Sequence, residues 1–179
     1  MRPPYDDVIE ELHILTRLAE FTPVVIGTPP LGLATEQSDI DIACTAPNFD
    51  RFSAVVRRAF GRMEAFSIRH VSHLSEPATV ASFKAMGWEI ELFCQRLATE
   101  YQWGVRHFRV EARLLALGPH LQESVRRLKR DGLKTEPAFA RALSLQGDPY
   151  VAMLELELLD DARLRDIIDA ATSLPRSAP

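Results

Sequence analysis

Two carboxylates separated by a single residue are the part of this sequence best suited to chemistry. Asp39 and Asp41 flank Ile40, and in a β-strand alternate side chains point to the same face. Two carboxylates held that close repel each other unless a cation or a proton lies between them. The pair therefore predicts a site for a hard divalent cation, Mg2+ or Mn2+, with a phosphate as the remaining ligand.

A glycine turn lies shortly before this acidic pair. The apolar run Val24–Ile26 ends at Gly27 and Thr28, and a spacer of ten residues leads to Ser38. A glycine can adopt backbone angles that direct N–H groups at a phosphate. We therefore predict that Gly27, Thr28 and Ser38 bind the phosphates of a nucleotide. Taken alone, the turn is explained more simply as a loop without ligand contacts.

A second pair of acids, Glu89 and Glu91, lies in the apolar run Trp88–Cys94. We expect Glu91 to complete the metal site or to help deprotonate an acceptor. Glu89 shares its face, so the sequence leaves open which of the two reaches the metal. For either acidic pair alone, the simpler explanation is a half-buried sheet that exposes alternate polar residues.

Further polar residues could bind the second substrate. Five are predicted to line a cleft for an acceptor molecule: Glu89, Gln95, Gln102, Arg106 and His107. Lys134 could reach a phosphate, or it could be an ordinary exposed lysine. His107 and Glu111 are four residues apart in a predicted helix, so a simple surface pair is an equal alternative. Trp88 and Trp103 could stack on a base, although core packing is the better explanation for Trp88.

Charge restricts the partners that this chain could bind. The 179 residues carry a net charge of −4, which disfavours wholesale coating of nucleic acid. Residues 106–134 nevertheless have eight Lys or Arg against three acids, and residues 148–169 have seven acids against two Arg. A basic segment beside an acidic site suits a polyphosphate substrate, but solvated helices of different charge explain the pattern equally well.

The cysteines and the absence of apolar segments indicate the compartment. Cys44 and Cys94 each lie in an apolar run and are too few for a disulfide framework, so we expect both to be buried and reduced. No apolar signal region and no stretch as long as a membrane span is found. The sequence predicts a soluble cytoplasmic protein without a membrane partner.

Apolar periodicity and turn residues predict the elements that position these groups. Strands are predicted over 24–26, 40–44, 66–71, 79–84 and 88–94. Helices are predicted from Asp6 or Asp7 to about 20, from Asn48 or Asp50 to about 60, and over 99–117, 119–130, 136–145, 149–158 and 160–171. Asp148 is expected to cap the helix that begins at Pro149.

This order predicts an α+β fold in which a mixed β-sheet with flanking helices is followed by a C-terminal helical extension. We expect a core over residues 1–98 and a helical extension over 99–179, packed on the core. The last apolar helices could cover the core or form a dimer face, so the oligomeric state stays open.

The spacing of these motifs resembles the nucleotidyltransferase superfamily with a polymerase-beta-like core. The segments that carry the resemblance are Ile26–Thr28, Ser38–Ile42 and Ile90–Leu92. More narrowly, the chain is similar over nearly its whole length to an uncharacterised bacterial domain family of predicted minimal nucleotidyltransferases. That family is matched further at Arg106–His107, Gly132–Phe139 and Gly147–Tyr150.

The resemblance implies transfer of a nucleoside monophosphate from a nucleoside triphosphate to a hydroxyl of an acceptor. Asp39, Asp41 and Glu91 would be the metal-binding carboxylates, with Mg2+ as the cofactor. The acceptor could be a small molecule, a protein or an RNA end, and small nucleotidyltransferases of this type also modify toxin partners. A long nucleic acid is disfavoured by the net charge.

Two alternatives remain open at this point. Pro29 and Pro30 remove two amide donors from the loop, and the third acid is a Glu where Asp is more frequent. These departures favour a catalytically silent module that binds a nucleotide or a protein on the same fold. A hydrolase that uses the same carboxylates is the third option.

Overall fold

Five strands form one mixed sheet whose order places the two acidic strands side by side. The computed structural model describes residues 2–72 and 76–173 of the chain. The strands are β1 (Val24–Ile26), β2 (Ile40–Thr45), β3 (Glu64–Val71), β4 (Ala78–Ala85) and β5 (Trp88–Gln95). Their order across the sheet is β1-β2-β5-β4-β3. Only β2 and β5 are paired in parallel, and every other neighbouring pair is antiparallel.

Helices flank the sheet in sequence and continue to the end of the described chain. They are α1 (Tyr5–Glu11), α2 (Ile14–Arg17), α3 (Phe49–Phe60), α4 (Trp103–Leu117), α5 (Leu121–Arg130), α6 (Thr135–Ala142), α7 (Pro149–Glu155) and α8 (Asp161–Ser173). Short 3-10 turns span Ala19–Phe21, Thr99–Tyr101 and Leu156–Leu158. The predicted α+β class, with a mixed sheet followed by helices, is therefore confirmed.

The chain divides into two compact units. The first comprises Met1–Pro30 and Glu36–Val105, and the second comprises Leu31–Thr35 and Arg106–Pro179. We call them the sheet unit and the helical unit. The division into domains at residue 98 stays a prediction.

The apolar residues of β2 and β5 form the centre of the core in the sheet unit. Ile40, Ile42, Ile90 and Leu92 are completely buried, and they pack in one cluster with side chains of α1, α2 and α3. Phe60 at the end of α3 stacks on Phe83 of β4, with ring centroids 4.9 Å apart. Because side chains alternate along a strand, the residues between these apolar ones face the other side of the sheet.

The helical unit has its own apolar core. Leu31 and Leu33 pack with buried residues of all five helices α4–α8, including Leu114, Phe139 and Leu164. Within the described residues, no helix is both long and apolar enough to cross a membrane.

The single helix predicted from Asp6 or Asp7 to about residue 20 is wrong. His13 has a left-handed backbone, with φ of 51°, and separates α1 from α2. This break changes the helical register, so that Ile14 is buried while Leu15 is exposed. Pro4, rather than either aspartate, occupies the N-cap position of α1.

Other predicted elements are confirmed with shifted ends. Predicted helix 99–117 begins as a 3-10 turn before α4, and predicted helix 149–158 ends as one after α7. β3 and β4 pair as a hairpin, although residues 73–75 of their connection lie outside the described residues. Cys44 and Cys94 are buried free thiols, as predicted, and burial raises the pKa of the Cys94 thiol to about 12.

Two predicted caps are also confirmed. Asp148 Oδ1 accepts hydrogen bonds from the N–H groups of Tyr150 and Val151. Asn48 Oδ1 accepts from the N–H groups of Asp50 and Arg51, at 2.8 and 3.1 Å.

Asn48→Ala is expected to lower the free energy of unfolding by about 1 kcal/mol, because two N–H groups of α3 lose their acceptor. Asn48→Asp retains a side-chain oxygen and should lose much less. Urea denaturation of the three proteins measures the difference. Equal losses in both variants would contradict the capping role.

Candidate functional site

Four carboxylates lie along the face of β2 and β5 that is opposite the apolar core. Asp41 is paired in register with Glu91, and Ile40 is paired with Ile90. Asp39 lies two residues before Asp41, directly before β2, and Glu89 lies two residues before Glu91 on β5. Because side chains alternate along a strand, these two acids belong to the same face as Asp41 and Glu91. We call Asp39, Asp41, Glu89 and Glu91 the carboxylate face.

Glu91 is held by an arginine, Arg69, that the sequence motifs did not indicate. Arg69 lies on β3, and its Nη2 donates to Glu91 Oε2 at 2.9 Å. The Arg69 side chain remains 58% exposed, whereas that of Glu91 is 33% exposed. Arg69 shares one face of β3 with Ser67 and Val71. Nothing in that segment of the sequence indicates a contact with Glu91, which lies two strands away in the sheet.

The pKa of the Glu91 carboxyl is set by its burial and by the charges around it. Burial raises the pKa of the Glu91 carboxyl, the ion pair with Arg69 opposes that shift, and the charges of Asp39 and Glu89 add to it. Desolvation and like charges both disfavour the ionised form of an acid. A cation placed among these groups would therefore stabilise the ionised carboxylates.

The turn after β1 lies directly against Asp41. Ile26 is paired with Asp41, and Gly27 follows with φ of +80°. A Cβ added at Gly27 would collide with Asp41 Oδ2. The left-handed backbone favours glycine here, and a larger residue would in addition require the Asp41 carboxylate to move.

Thr28 and Ser38 connect this turn to the start of β2. The Thr28 hydroxyl is buried and donates to Ser38 Oγ at 3.0 Å. Arg2 Nη1 donates to the Ser38 carbonyl at 2.8 Å, and its guanidinium lies 3.4 Å above the Trp88 ring. These contacts hold the residue before Asp39 in place. Trp88 itself is buried, as the sequence analysis favoured.

The donor set of the carboxylate face suits a hard cation. Oxygen ligands from carboxylates are those that Mg2+ prefers, and burial, with a smaller contribution from the charges of Asp39 and Glu89, raises the pKa of Glu91. Within residues 2–72 and 76–173, however, no three acidic, imidazole or thiol side chains converge closely enough to enclose a metal ion. Glu91 would have to leave Arg69 to serve as a third ligand beside Asp39 and Asp41.

Glu89 occupies a different position from Glu91. It is exposed and lines a cleft of about 380 Å³ at the end of the sheet next to Asp39. The polar residues that line this cleft are Arg2, Glu36, Gln37, Ser38, Glu64, Lys84 and Glu89. In the present rotamers Glu89 therefore faces a cavity, whereas Glu91 faces Arg69.

Gln95 and Gln102 are buried and bonded to the backbone. Gln95 Nε2 donates to the Glu76 carbonyl at 3.0 Å. Gln102 Nε2 donates to the carbonyls of Cys44 and Leu97, at 2.8 and 2.9 Å. Both amides thus stabilise the sheet unit, and an acceptor-binding role for either stays a prediction.

The remaining candidates lie in the helical unit. Arg106 forms an ion pair with Glu157 at 2.6 Å, and Lys134 is exposed at the start of α6. His107 and Glu111 are each only 4% exposed, so the interpretation of a surface pair is wrong. His107 Nε2 lies 2.9 Å from the Tyr150 carbonyl, which explains why this imidazole can be buried.

Glu111 is the most unusual acid of the helical unit. Burial, reinforced by the charge of Glu136 and opposed by that of Lys129, raises its pKa to about 8. Its Oε1 has no hydrogen-bond partner among the described residues. The sequence signal for this burial was weak, because Glu111 occurs in a helix with other charged residues.

Gly27→Ala is expected to destabilise the protein by more than the roughly 1–2 kcal/mol cost of a left-handed non-glycine residue, because Asp41 must also move. Gly147→Ala is the matched control, since Gly147 has φ of +85° and open space around its Cβ position. Urea denaturation gives the free energy of unfolding of both variants, and the difference between their losses measures the cost of moving Asp41. Equal losses would show that the approach of Asp41 does not constrain residue 27.

Glu111→Gln is expected to be more stable than the wild type at pH 8.5, by an amount on the order of a few kcal/mol. The folded protein keeps the Glu111 proton up to about pH 8, whereas an unfolded chain releases it near pH 4.5. Stability therefore falls as pH rises between these values and is not affected by this group below them.

Thermal unfolding at pH 4, 6 and 8.5 measures this dependence. The advantage of Glu111→Gln should be small at pH 4 and largest at pH 8.5, while exposed Glu155→Gln should show no such trend. A stability difference that is independent of pH would contradict a buried, protonated Glu111.

Solved structures of nucleotidyltransferases have a similar fold. The Cid1 poly(U) polymerase bound to MgGTP is 14% identical with a TM-score of 0.51, and the match covers 69% of this chain and 40% of that one. A Cid1 mutant bound to MgATP is 12% identical with a TM-score of 0.53, covering 84% and 47%. A cytoplasmic RNA terminal U-transferase is 13% identical with a TM-score of 0.51, covering 80% and 43%.

This chain therefore spans less than half of the length of these polymerases. At such identities the similarity establishes the nucleotidyltransferase-like fold alone. A search of curated proteins finds no significant sequence match.

A sequence profile identifies the family directly. The profile described as "Domain of unknown function (DUF4269)" matches residues 7–156. The matched range includes all four residues of the carboxylate face, the glycine turn and helices α4–α6. The chain belongs to the DUF4269 family.

Proposed function

We propose that this protein is a Mg2+-dependent nucleotidyltransferase that moves a nucleoside monophosphate from a nucleoside triphosphate to a hydroxyl of an acceptor. The observation that carries the proposal is the carboxylate face, in which Asp41 is paired with Glu91 and lies against Gly27. Such a cluster next to a glycine turn combines groups for a divalent cation and for a phosphate.

The fold supports the same activity. The similar structures are described as a poly(U) polymerase with bound MgGTP or MgATP and as a terminal U-transferase. Those ligands belong to the relatives, and the proposal extends metal-nucleotide binding to this chain on the strength of its own acids.

In the proposed reaction an acceptor oxygen forms a bond to the α-phosphorus, and the bond from that phosphorus to the bridging oxygen of the β-phosphate breaks. Pyrophosphate leaves, and a carboxylate takes the acceptor proton. The chemistry that Mg2+ would supply, when bound, is neutralisation of the charge on the attacking and leaving oxygens. Asp39 and Asp41 would hold the metal-bound nucleotide, and the backbone at Gly27 would hold its terminal phosphates.

Glu91 and Glu89 would act on the acceptor side. Glu91 would complete the metal site or take the acceptor proton, and its pairing with Asp41 and partial protection from solvent support this role. Glu89 opens into the cleft of about 380 Å³, which is large enough for part of a small molecule or a protein side chain. We propose this cleft as the acceptor site.

A second candidate function is nucleotide binding without transfer. The ion pair between Arg69 and Glu91 favours it, because in this state the third carboxylate is occupied by a guanidinium. The two functions differ in whether a covalent product forms.

The double variant Asp39→Asn/Asp41→Asn is expected to lose transfer by about 100-fold or more, because the amides cannot neutralise a divalent cation. Each α-32P-labelled nucleoside triphosphate is incubated with Mg2+ or Mn2+, a lysate of the source cells and the purified protein. The product is then separated into small-molecule, RNA and protein fractions. Asp6→Asn/Asp7→Asn on α1, where both side chains are exposed, is the matched control.

Label in one fraction with the wild type and the control, but not with the site variant, would establish the transferase and its acceptor class. Equal labelling by all three proteins would contradict the proposed site. If no label is transferred but Mg2+ with nucleotide raises the melting temperature of the wild type and the control, and not that of the site variant, the function is nucleotide binding without transfer.

A further inference from the structure

Arg69 is the basic residue that the structure adds to the carboxylate face. It lies on β3, at the edge of the sheet, and reaches across β4 to Glu91 on β5. On β4, Ser82 is paired with both Glu91 and Ser67, and the hydroxyls of Ser67 and Ser82 are 3.0 Å apart. Arg69 itself is paired with Val80, which is paired with Phe93, so its side chain reaches Glu91 between this apolar pair and the two serines.

The guanidinium is only partly used in this contact. Among the described residues, Nη2 alone has a partner, Glu91 Oε2, while a guanidinium carries five N–H donors. With 58% of its side chain exposed, Arg69 retains donors that are accessible from solvent. Such a planar fork matches the oxygens of a phosphate in a bidentate manner.

A divalent cation at Asp39 and Asp41 would weaken the present ion pair. Like charges repel, so the cation competes with the guanidinium for Glu91. The freed guanidinium would remain within reach of the same face, where a phosphate ligand concentrates negative charge. A single residue could thus stabilise the acids in the metal-free state and the ligand in the bound state.

We propose that Arg69 is an anion-binding residue of this site, held by Glu91 in the metal-free protein and transferred to a phosphate group of the bound ligand. The inference rests on the proposed metal-nucleotide site. The phosphate belongs either to the nucleoside triphosphate or to a phosphorylated acceptor. Because Arg69 is on the edge strand farthest from the glycine turn on β1, the acceptor phosphate is the favoured source.

The proposal is tested by calorimetric binding to wild type, Arg69→Gln, Arg69→Lys and the control Arg51→Gln. Arg51 on α3 forms a similar exposed ion pair with Glu20, at 3.0 Å, away from the carboxylate face. The probes are Mn2+ alone, Mg2+ with α,β-methylene ATP, and inorganic phosphate added to protein saturated with that complex. The analogue prevents turnover, so binding is measured without activity.

Arg69→Gln should bind Mn2+ alone roughly fivefold more tightly, because a competing cation is removed. It should bind one phosphate probe about tenfold or more weakly, because a charge-assisted contact is lost. Weaker nucleotide binding assigns the contact to the triphosphate, and weaker inorganic phosphate binding with normal nucleotide binding assigns it to the acceptor. Arg69→Lys should be intermediate, and Arg51→Gln should match the wild type.

Unchanged or tighter binding of both phosphate probes by Arg69→Gln would overturn the proposal and leave Arg69 as a counter-ion only. Arg69→Lys, which retains the charge, provides the same test should the Gln variant unfold. Failure of the underlying site is distinguished by Asp39→Asn/Asp41→Asn. If that variant binds the nucleotide complex as the wild type does, the metal-nucleotide site itself is wrong.

Discussion

The partial burial of Glu91 among other carboxylates is the constraint that the rest of this site must satisfy. Asp41 and Glu91 are paired in register, and burial, together with the charges of Asp39 and Glu89, raises the pKa of Glu91. Such crowding costs stability unless positive charge is supplied. Arg69 supplies one positive group from the edge strand, and a divalent cation would offset part of the remaining negative charge.

The opposite face of the same strands explains how the acids can be held so close. Ile40 and Ile42 on β2 and Ile90 and Leu92 on β5 are completely buried in the core of the sheet unit. A slip of one residue in either strand would exchange these side chains with the acids and bury charge. The register that forms the carboxylate face is thus fixed by apolar packing, and the site depends on the core rather than on contacts among the acids.

The local parts of this arrangement could be predicted from the sequence, and the long-range parts could not. Alternating apolar residues predict both acidic strands, and Asn48 and Asp148 mark helix starts because capping depends on a few adjacent residues. The left-handed residue His13 breaks the first helix without a glycine or proline to signal it. The contact of Arg69 with Glu91 and the burial of Glu111 depend on how distant segments of the chain pack. The apolar pattern of a single helix or strand carries no information about such packing.

A crystal grown with Mn2+ and α,β-methylene ATP tests the central claim most directly, since anomalous scattering locates the metal without assumptions about turnover. We expect a manganese peak bound by Asp39 and Asp41, with the phosphates next to Gly27 and with Glu91 released from Arg69. A nucleotide-bound crystal that has no manganese at these carboxylates, or has it at another group of acids, would rule out the proposed metal site.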